Sequence, residues 1–296
     1  MKKWGVDLGG TKIECAVIED GRALVRKRIA TEASGGYHHI LNRIKSLVDD
    51  VSEEIGMRPE RIGFGTPGTL DRHTGKMKNC NTVCMNGMAT HLDLAEMLGA
   101  EIKIANDANC FALAEALYGA GKEMPDAEVV FGIIMGTGVG GGLVVNGKVI
   151  EGAHGVAGEW GHNQLIENGD QCYCSTRGCV ETAISGTALE KHYSKIAGRS
   201  LPLKEIAMQR DSDLAAAATI SHLIEYFGRA VASLINVIDP ELIIIGGGVG
   251  NVDALYTEGV ESISRHMFEP GPLRTKVVRP SLGDSAGVFG AATLFD

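Results

Sequence analysis

The layout of the glycines constrains this chain most. An apolar run Trp4-Gly5-Val6 leads into Asp7-Leu8-Gly9-Gly10-Thr11-Lys12, then apolar residues 13–18, a Glu19-Asp20-Gly21 turn and a third extended segment at 22–29. The same order returns near residue 130. Apolar residues 129–135 precede Gly136-Thr137-Gly138-Val139-Gly140-Gly141-Gly142, then come apolar 143–145, an Asn146-Gly147 turn and residues 148–150. Two halves that each read strand, glycine turn, strand, tight turn, strand point to an internal duplication. Glycine supplies 40 of 296 residues, about twice the average usage of roughly 7%.

Each half then changes period. Residues 37–55 place Ile40, Ile44, Leu47, Val48 and Val51 at three- and four-residue spacing, which predicts an amphipathic helix. Segments 61–65 and 101–105 read as short strands, and 108–117 as an alanine-rich helix closed by Gly119. In the second half, 213–237 reads as a long helix and 241–245 as a buried strand running into Gly246-Gly247-Gly248. Strands alternating with helices make this an α/β chain with mixed sheets. The expected lobes are 1–118 and 119–296, with a C-terminal helix at 286–294 free to return to the first.

The net charge of −9 argues against nucleic acid as the main partner, because phosphate contacts need a basic face. No apolar stretch approaches the ~20 residues that span a bilayer, and Asp7 interrupts the N-terminus before a signal-type apolar region could form. A cytoplasmic protein with no membrane partner is expected. Seven cysteines, an odd number, do not form a disulfide framework in such a chain. Cys15, Cys80, Cys84 and Cys110 read as small buried apolar residues.

Glycine turns between strands suit phosphates, because backbone N–H groups can approach an oxygen with no Cβ in the way. Three such turns exist, at 7–12, 136–142 and 246–248. Any one alone could be a tight hairpin; two at equivalent places in a duplicated unit, with a third, favour a nucleotide cleft. Residues 136–141 also satisfy G-x-G-x-x-G, but that motif must open a helix, and here a strand and a hairpin turn follow. No glycine-rich loop ends in Gly-Lys-Ser/Thr, so a Walker A site is excluded.

Asp107, in Asn106-Asp107-Ala108-Asn109, sits between a strand and a helix, where it either caps the helix or presents a carboxylate that can accept a proton. Cys172-Tyr173-Cys174 and, four residues on, Cys179 follow the segment His154-Gly155-Val156-Ala157-Gly158-Glu159-Trp160-Gly161-His162. Three thiolates and an imidazole make a closed Cys₃His zinc site that organises a loop without performing the reaction. Glu159 and Glu181 flank it, either solvated or offered to the hydroxyls of a polyol.

Together, Asp7-Leu8-Gly9-Gly10-Thr11-Lys12, Asn106-Asp107-Ala108-Asn109, the 136–142 run, Gly158-Glu159-Trp160-Gly161-His162, Cys172-x-Cys174-x₄-Cys179-x-Glu181 and Gly246-Gly247-Gly248 resemble the ROK family of bacterial sugar kinases and repressors, over essentially the whole chain. The resemblance implies a two-lobed, actin-like (hexokinase- and Hsp70-type) ATPase fold with a duplicated βββαβαβα core, and an ATP-dependent hexose 6-kinase. It implies Asp107 as the general base toward the sugar's 6-hydroxyl and Asn106 on a neighbouring hydroxyl. Gly68 and Asn81 would line the sugar pocket, and Glu159, His162 and Glu181 would contact hydroxyls at the other end of the ring. His162 would also ligate zinc beside Cys172, Cys174 and Cys179. Asp7 would act through Mg²⁺ and its waters, Gly10, Thr11, Lys12, Gly136, Thr137 and Gly138 would cradle the phosphates of ATP, and Gly247 and Gly248 would adjoin adenosine. One departure is Ser175, where the family usually has glycine.

Residues 78–82, 86–87, 158–163 and 181–187 look most like fructokinases that also accept mannose, while 106–114 is equally like N-acetylglucosamine kinases. Fructose is the expected sugar, N-acetylglucosamine the alternative, and family precedent implies a homodimer. A sugar-sensing repressor would need a DNA-binding extension before Asp7, and with the first glycine turn starting there no such extension is expected. A filament-forming ATPase would not need the zinc loop.

Overall fold

The computed structural model describes residues 1–269 and 271–296. In chain order the strands and helices are β1 (Lys3–Leu8), β2 (Lys12–Glu19), β3 (Arg22–Ala30), α1 (Tyr37–Ile55), β4 (Arg61–Thr66), β5 (Thr69–Leu70), β6 (Met77–Lys78), α2 (Thr90–Leu98), β7 (Glu101–Asn106), α3 (Asp107–Leu117), β8 (Val129–Met135), β9 (Val139–Val145), β10 (Lys148–Val149), α4 (Val180–Ile184), α5 (Gly186–Ala197), α6 (Leu203–Met208), α7 (Leu214–Ile238), β11 (Leu242–Gly246), α8 (Glu258–His266), β12 (Lys276–Val278) and α9 (Ala286–Ala292).

Two five-stranded sheets repeat one plan, with orders β3-β2-β1-β4-β7 and β10-β9-β8-β11-β12. In the first, β1 and β2 pair antiparallel, while β1, β4 and β7 run parallel. In the second, β9 and β10 pair antiparallel, while β8, β11 and β12 run parallel. Strand β9 starts at Val139, so of the 136–142 glycine run only 136–138 is loop. Gly141 and Gly142 are strand residues that let other backbone come close. A Cβ on Gly142 would lie 2.6 Å from the Ala108 carbonyl, and one on Gly141 2.8 Å from that of Gly158.

The chain forms two compact units, Met1–Lys122 with Gly142–Ala157 and Ser281–Asp296, and Glu123–Gly141 with Gly158–Pro280. The division is therefore not a single cut near residue 118. In the first unit α1 buries Ile40, Leu41, Ile44, Leu47, Val48 and Val51, the stripe its spacing predicts, and Gly56 ends it in a left-handed conformation at φ 69°. Helix α9 packs on the same unit's sheet by backbone contact, since a Cβ on Gly63 would meet the Ala291 carbonyl at 1.8 Å and one on Gly5 the Val288 carbonyl at 2.3 Å. In the second unit α7 is capped by Asp213, whose Oδ1 accepts from Ala215 N at 2.7 Å and Ala216 N at 3.2 Å. No helix among the described residues is long and apolar enough to cross a membrane.

Candidate active site and metal centre

In the first unit, the loop between β1 and β2 closes with Gly9 N–H donating to the Lys12 carbonyl at 2.9 Å. Gly10, Thr11 and Lys12 are exposed there. Thr31, just past β3, holds the loop twice: its N–H donates to the Thr11 carbonyl (3.0 Å) and its hydroxyl to that of Gly9 (2.7 Å). Asp7 lies at the end of β1 in a niche walled by glycines, where a Cβ on Gly287 would come within 2.9 Å of its carboxylate and one on Gly65 within 3.3 Å. Burial first, and the charges of Asp107 and Glu14 second, push its carboxyl up to about 6, against the pull of Arg28. Register explains that company. Asp7 stands opposite Glu14, and Glu14 opposite Arg28, in three adjacent strands.

Asn106, not Asp107, is the residue that caps α3. The Asn106 side chain accepts from Ala108 N at 2.9 Å while Asp107, in the helix's first turn, shares that donor at 2.8 Å. Asp107 is exposed and so open to a substrate. Gly68 is required by space, for a Cβ there would meet the Cys80 sulfur at 2.4 Å. Asn81 is exposed on the loop that Asn86 frames by pairing with both the N–H and the carbonyl of Cys80 (2.9 and 3.1 Å).

In the second unit, the loop 136–138 closes with Gly136 N–H donating to the Gly138 carbonyl at 2.9 Å. Gly136, Thr137 and Gly248 border a cavity of about 1200 Å³, somewhat above the roughly 300–1,000 Å³ of ordinary small-molecule sites. Leu203, Ala207 and Met208 of α6, with Val252 and Ala254, make its apolar wall. Gly247 has φ +83°, and a Cβ there would meet the Met135 carbonyl at 2.2 Å, so glycine is needed where the chain leaves β11. Arg210 at the cavity edge is neutralised by two hydrogen bonds to Glu258 (2.5 and 2.6 Å). The α6 wall is not visible in the sequence, because six residues are too few to display a period.

His162, Cys172, Cys174 and Cys179 converge, with their ligand atoms all within 4.8 Å of one another. Cys174 and Cys179 have sulfurs 3.6 Å apart, too far for a disulfide and close to the ~3.8 Å edge of a tetrahedron with Zn–S bonds of about 2.3 Å. His162 turns Nδ1 toward the Cys172 sulfur (3.6 Å), and its Nε2 meets the Tyr173 hydroxyl (2.9 Å) and, at 4.0 Å, Glu159. One ring nitrogen facing the ligands and the other held by an outer partner is the usual arrangement of a metal-bound histidine. A hydrogen bond with the Thr176 hydroxyl holds the Cys174 thiol down at about 6. The residues thus fit zinc. His154 is not among them. Ser175 has φ +74°, so the departure from glycine falls on a left-handed position.

Glu159 precedes the turn Trp160–His162, which lies on β9: the Trp160 indole N–H donates to the Gly140 carbonyl at 3.3 Å, and a Cβ on Gly161 would meet the Val139 carbonyl at 2.1 Å. Glu181 accepts from Val139 N at 2.9 Å, an engagement with backbone that nothing in the sequence announces.

The ROK family model matches residues 3–296. The chain belongs to the ROK family. It is 35% identical over 304 aligned residues to the N-acetyl-D-glucosamine kinase of Histophilus somni (strain 129Pt), covering 99% of this chain and 98% of that one. Among solved structures it matches the ROK hexokinase from Thermus thermophilus at TM-score 0.88 and 32% identity, covering 99% and 97% of the two chains. It also matches a ROK family glucokinase from Streptomyces griseus, solved with glucose and AMPPNP, at TM-score 0.79 and 28% identity, covering 99% of each chain. The fold is the actin-like ATPase fold, and this ROK protein is a sugar kinase, a transferase with a sugar hydroxyl as acceptor.

Proposed function

We propose that this ROK kinase transfers the γ-phosphoryl group of ATP to the 6-hydroxyl of an N-acetylhexosamine, with N-acetyl-D-glucosamine as the preferred sugar. The observation that carries the reading is end-to-end similarity, at 35% identity, to a protein of that name. Fructose, the sugar favoured by the loop residues alone, has less support, and mannose and glucose follow it. A few loop positions weigh less than similarity spread over the whole chain.

Asp107 is the general base that takes the hydroxyl proton, and its exposure suits it to meet substrate. Asn106, Asn81 and Gly68 belong to the sugar-binding surface of the first unit; Glu159, His162 and Glu181 are the sugar-facing candidates of the second. Gly10, Thr11, Lys12, Gly136, Thr137 and Gly138 bind phosphates through backbone donors, and Gly247 and Gly248 adjoin adenosine, Gly248 from the wall of the 1200 Å³ cavity. Magnesium, when bound with the nucleotide, supplies charge neutralisation at the phosphates. Asp7, a carboxylate in a glycine-walled niche, is the oxygen donor suited to its hydration shell. Zinc fits the Cys₃His cluster as a structural ion.

The test is ADP release with Mg-ATP across N-acetylglucosamine, N-acetylmannosamine, glucose, mannose and fructose, with a no-sugar control. The highest kcat/KM is expected for N-acetylglucosamine. A preference for fructose would restore the loop-based reading, and ATP hydrolysis indifferent to sugar would remove the acceptor assignment.

A further inference from the structure

We propose that the Cys₃His centre organises the phosphate-binding loop 136–138 through Glu181 and Gly186, so that metal loading sets nucleotide affinity in addition to any effect on the sugar. The inference rests on the nucleotide reading of that loop. Cys179 is at once a member of the thiol cluster and the residue that precedes α4. Two residues on, Glu181 accepts the Val139 N–H at 2.9 Å through one carboxylate oxygen, and its other oxygen stands 4.0 Å from the Cys172 sulfur. After α4, Gly186 N–H donates to the Gly136 carbonyl at 2.7 Å. Both ends of the loop are thus tied to residues that follow a metal-ligating thiol in the chain.

The contact is close. A Cβ on Gly138 would lie 2.5 Å from the Glu181 carboxylate, and Thr137, Cys172 and Glu181 share the wall of one small cavity of about 240 Å³. Val139 is buried, and a backbone donor at a buried residue that loses its acceptor is costly. Helix α4 has only five residues, far below the length at which a helix holds itself. The stretch before it, from 163 to 179, has no regular helix or strand of its own and is held by isolated bridges and turn hydrogen bonds, such as Gly178 N–H to the Asp170 carbonyl at 2.8 Å. Burial of Val180, Ala183 and Ile184 and a hydrogen bond between His222 Nε2 and the Ala183 carbonyl (3.2 Å) seat the body of α4, while Cys179 anchors its N-terminal end, where a bound metal would tie three nearby thiols and an imidazole into one rigid point. Glu181 is a positioning residue for the loop.

The test is calorimetric ADP binding in the absence of sugar. Zinc-loaded wild-type protein is compared with the same protein stripped by a chelator and then reloaded, with metal content read by elemental analysis. Stripping is expected to weaken ADP binding about tenfold, the scale of one charge-assisted hydrogen bond, with recovery on adding zinc. Glu181→Ala should weaken ADP binding to the same extent with its zinc retained, whereas Glu181→Gln, which keeps an acceptor for Val139, should retain ADP affinity whatever it does to the sugar. Should stripping unfold the chain, the two Glu181 variants decide. Unchanged ADP affinity in Glu181→Ala, with sugar affinity alone lost, overturns the proposal. No ADP binding by the loaded wild-type protein is a separate outcome, which overturns the nucleotide reading of the loop itself.

Discussion

In the first sheet the loop after β1 is anchored by Thr31, a residue of its own strand repeat, whereas in the second the loop after β8 is anchored by Glu181 and Gly186, which follow a cysteine cluster some forty residues downstream. Both loops close with a single backbone hydrogen bond of 2.9 Å. Their chemistry differs more than their shape. The strand before the first carries a half-buried carboxylate, Asp7, next to its last residue and within the influence of Asp107 and Glu14; the strand before the second ends in apolar Ile134 and Met135. The same strand frame occurs twice, with acidic side chains beside the loop in one copy and a cysteine-bearing segment beside the loop in the other.

The largest expected effect separates the copies directly. Asp107→Asn should lower kcat by about 10²- to 10⁴-fold, the usual loss on removing a general base, and leave the unfolding temperature unchanged because Asn106 still caps α3. A marked fall in Tm would show instead that the carboxylate serves the helix.

A second variant tests the charge of the first loop. Because the Asp7 carboxyl is held above its ordinary value, at about 6, the folded state binds that proton more tightly than the unfolded chain. Ionising it therefore costs stability as pH rises from about 4 to about 6. At about 1.4 kcal/mol per pH unit the cost is about 3 kcal/mol by pH 7. Asp7→Asn in metal-free protein should raise stability by up to about that amount above pH 7 and by nothing below pH 4, as followed by denaturant unfolding across pH. A gain that does not depend on pH would mean that Asp7 is not the strained charge.

The smallest effect concerns the insertion that supports the second loop. Ser175→Gly removes a side chain from a left-handed position, and should raise the stability of the zinc-loaded protein by about 0.5–1 kcal/mol, the left-handed penalty less glycine's entropy. A lower Tm would show that the Ser175 side chain contributes more than its backbone strain costs.

How much of this was legible varies with how local each signal is. Helix α1 spans 37–55 as its apolar spacing predicts, because one period repeats over five turns. Cys172, Cys174 and Cys179 lie close in sequence, so their convergence needed little from the rest of the chain. For Asp107 the residues alone left capping and catalysis open, and geometry moved the cap to Asn106. The 136–142 run read as one turn, but glycines 140–142 lie in β9, where the absence of side chains admits other backbone.

The sequence by itself determined the repeated strand and glycine-turn plan, the gathering of three cysteines near His162 and, through its resemblance, the family. These are patterns of residue type over a few neighbouring positions, and short-range sterics and donor chemistry make them readable. Only the tertiary structure decided that Asp7, Glu14 and Arg28 stand in one row, that α9 seats its backbone on Gly5 and Gly63, and that Glu181 reaches Val139. Each depends on strand register or on packing between residues far apart in the chain, and register is set by the burial of whole faces, which no short segment encodes.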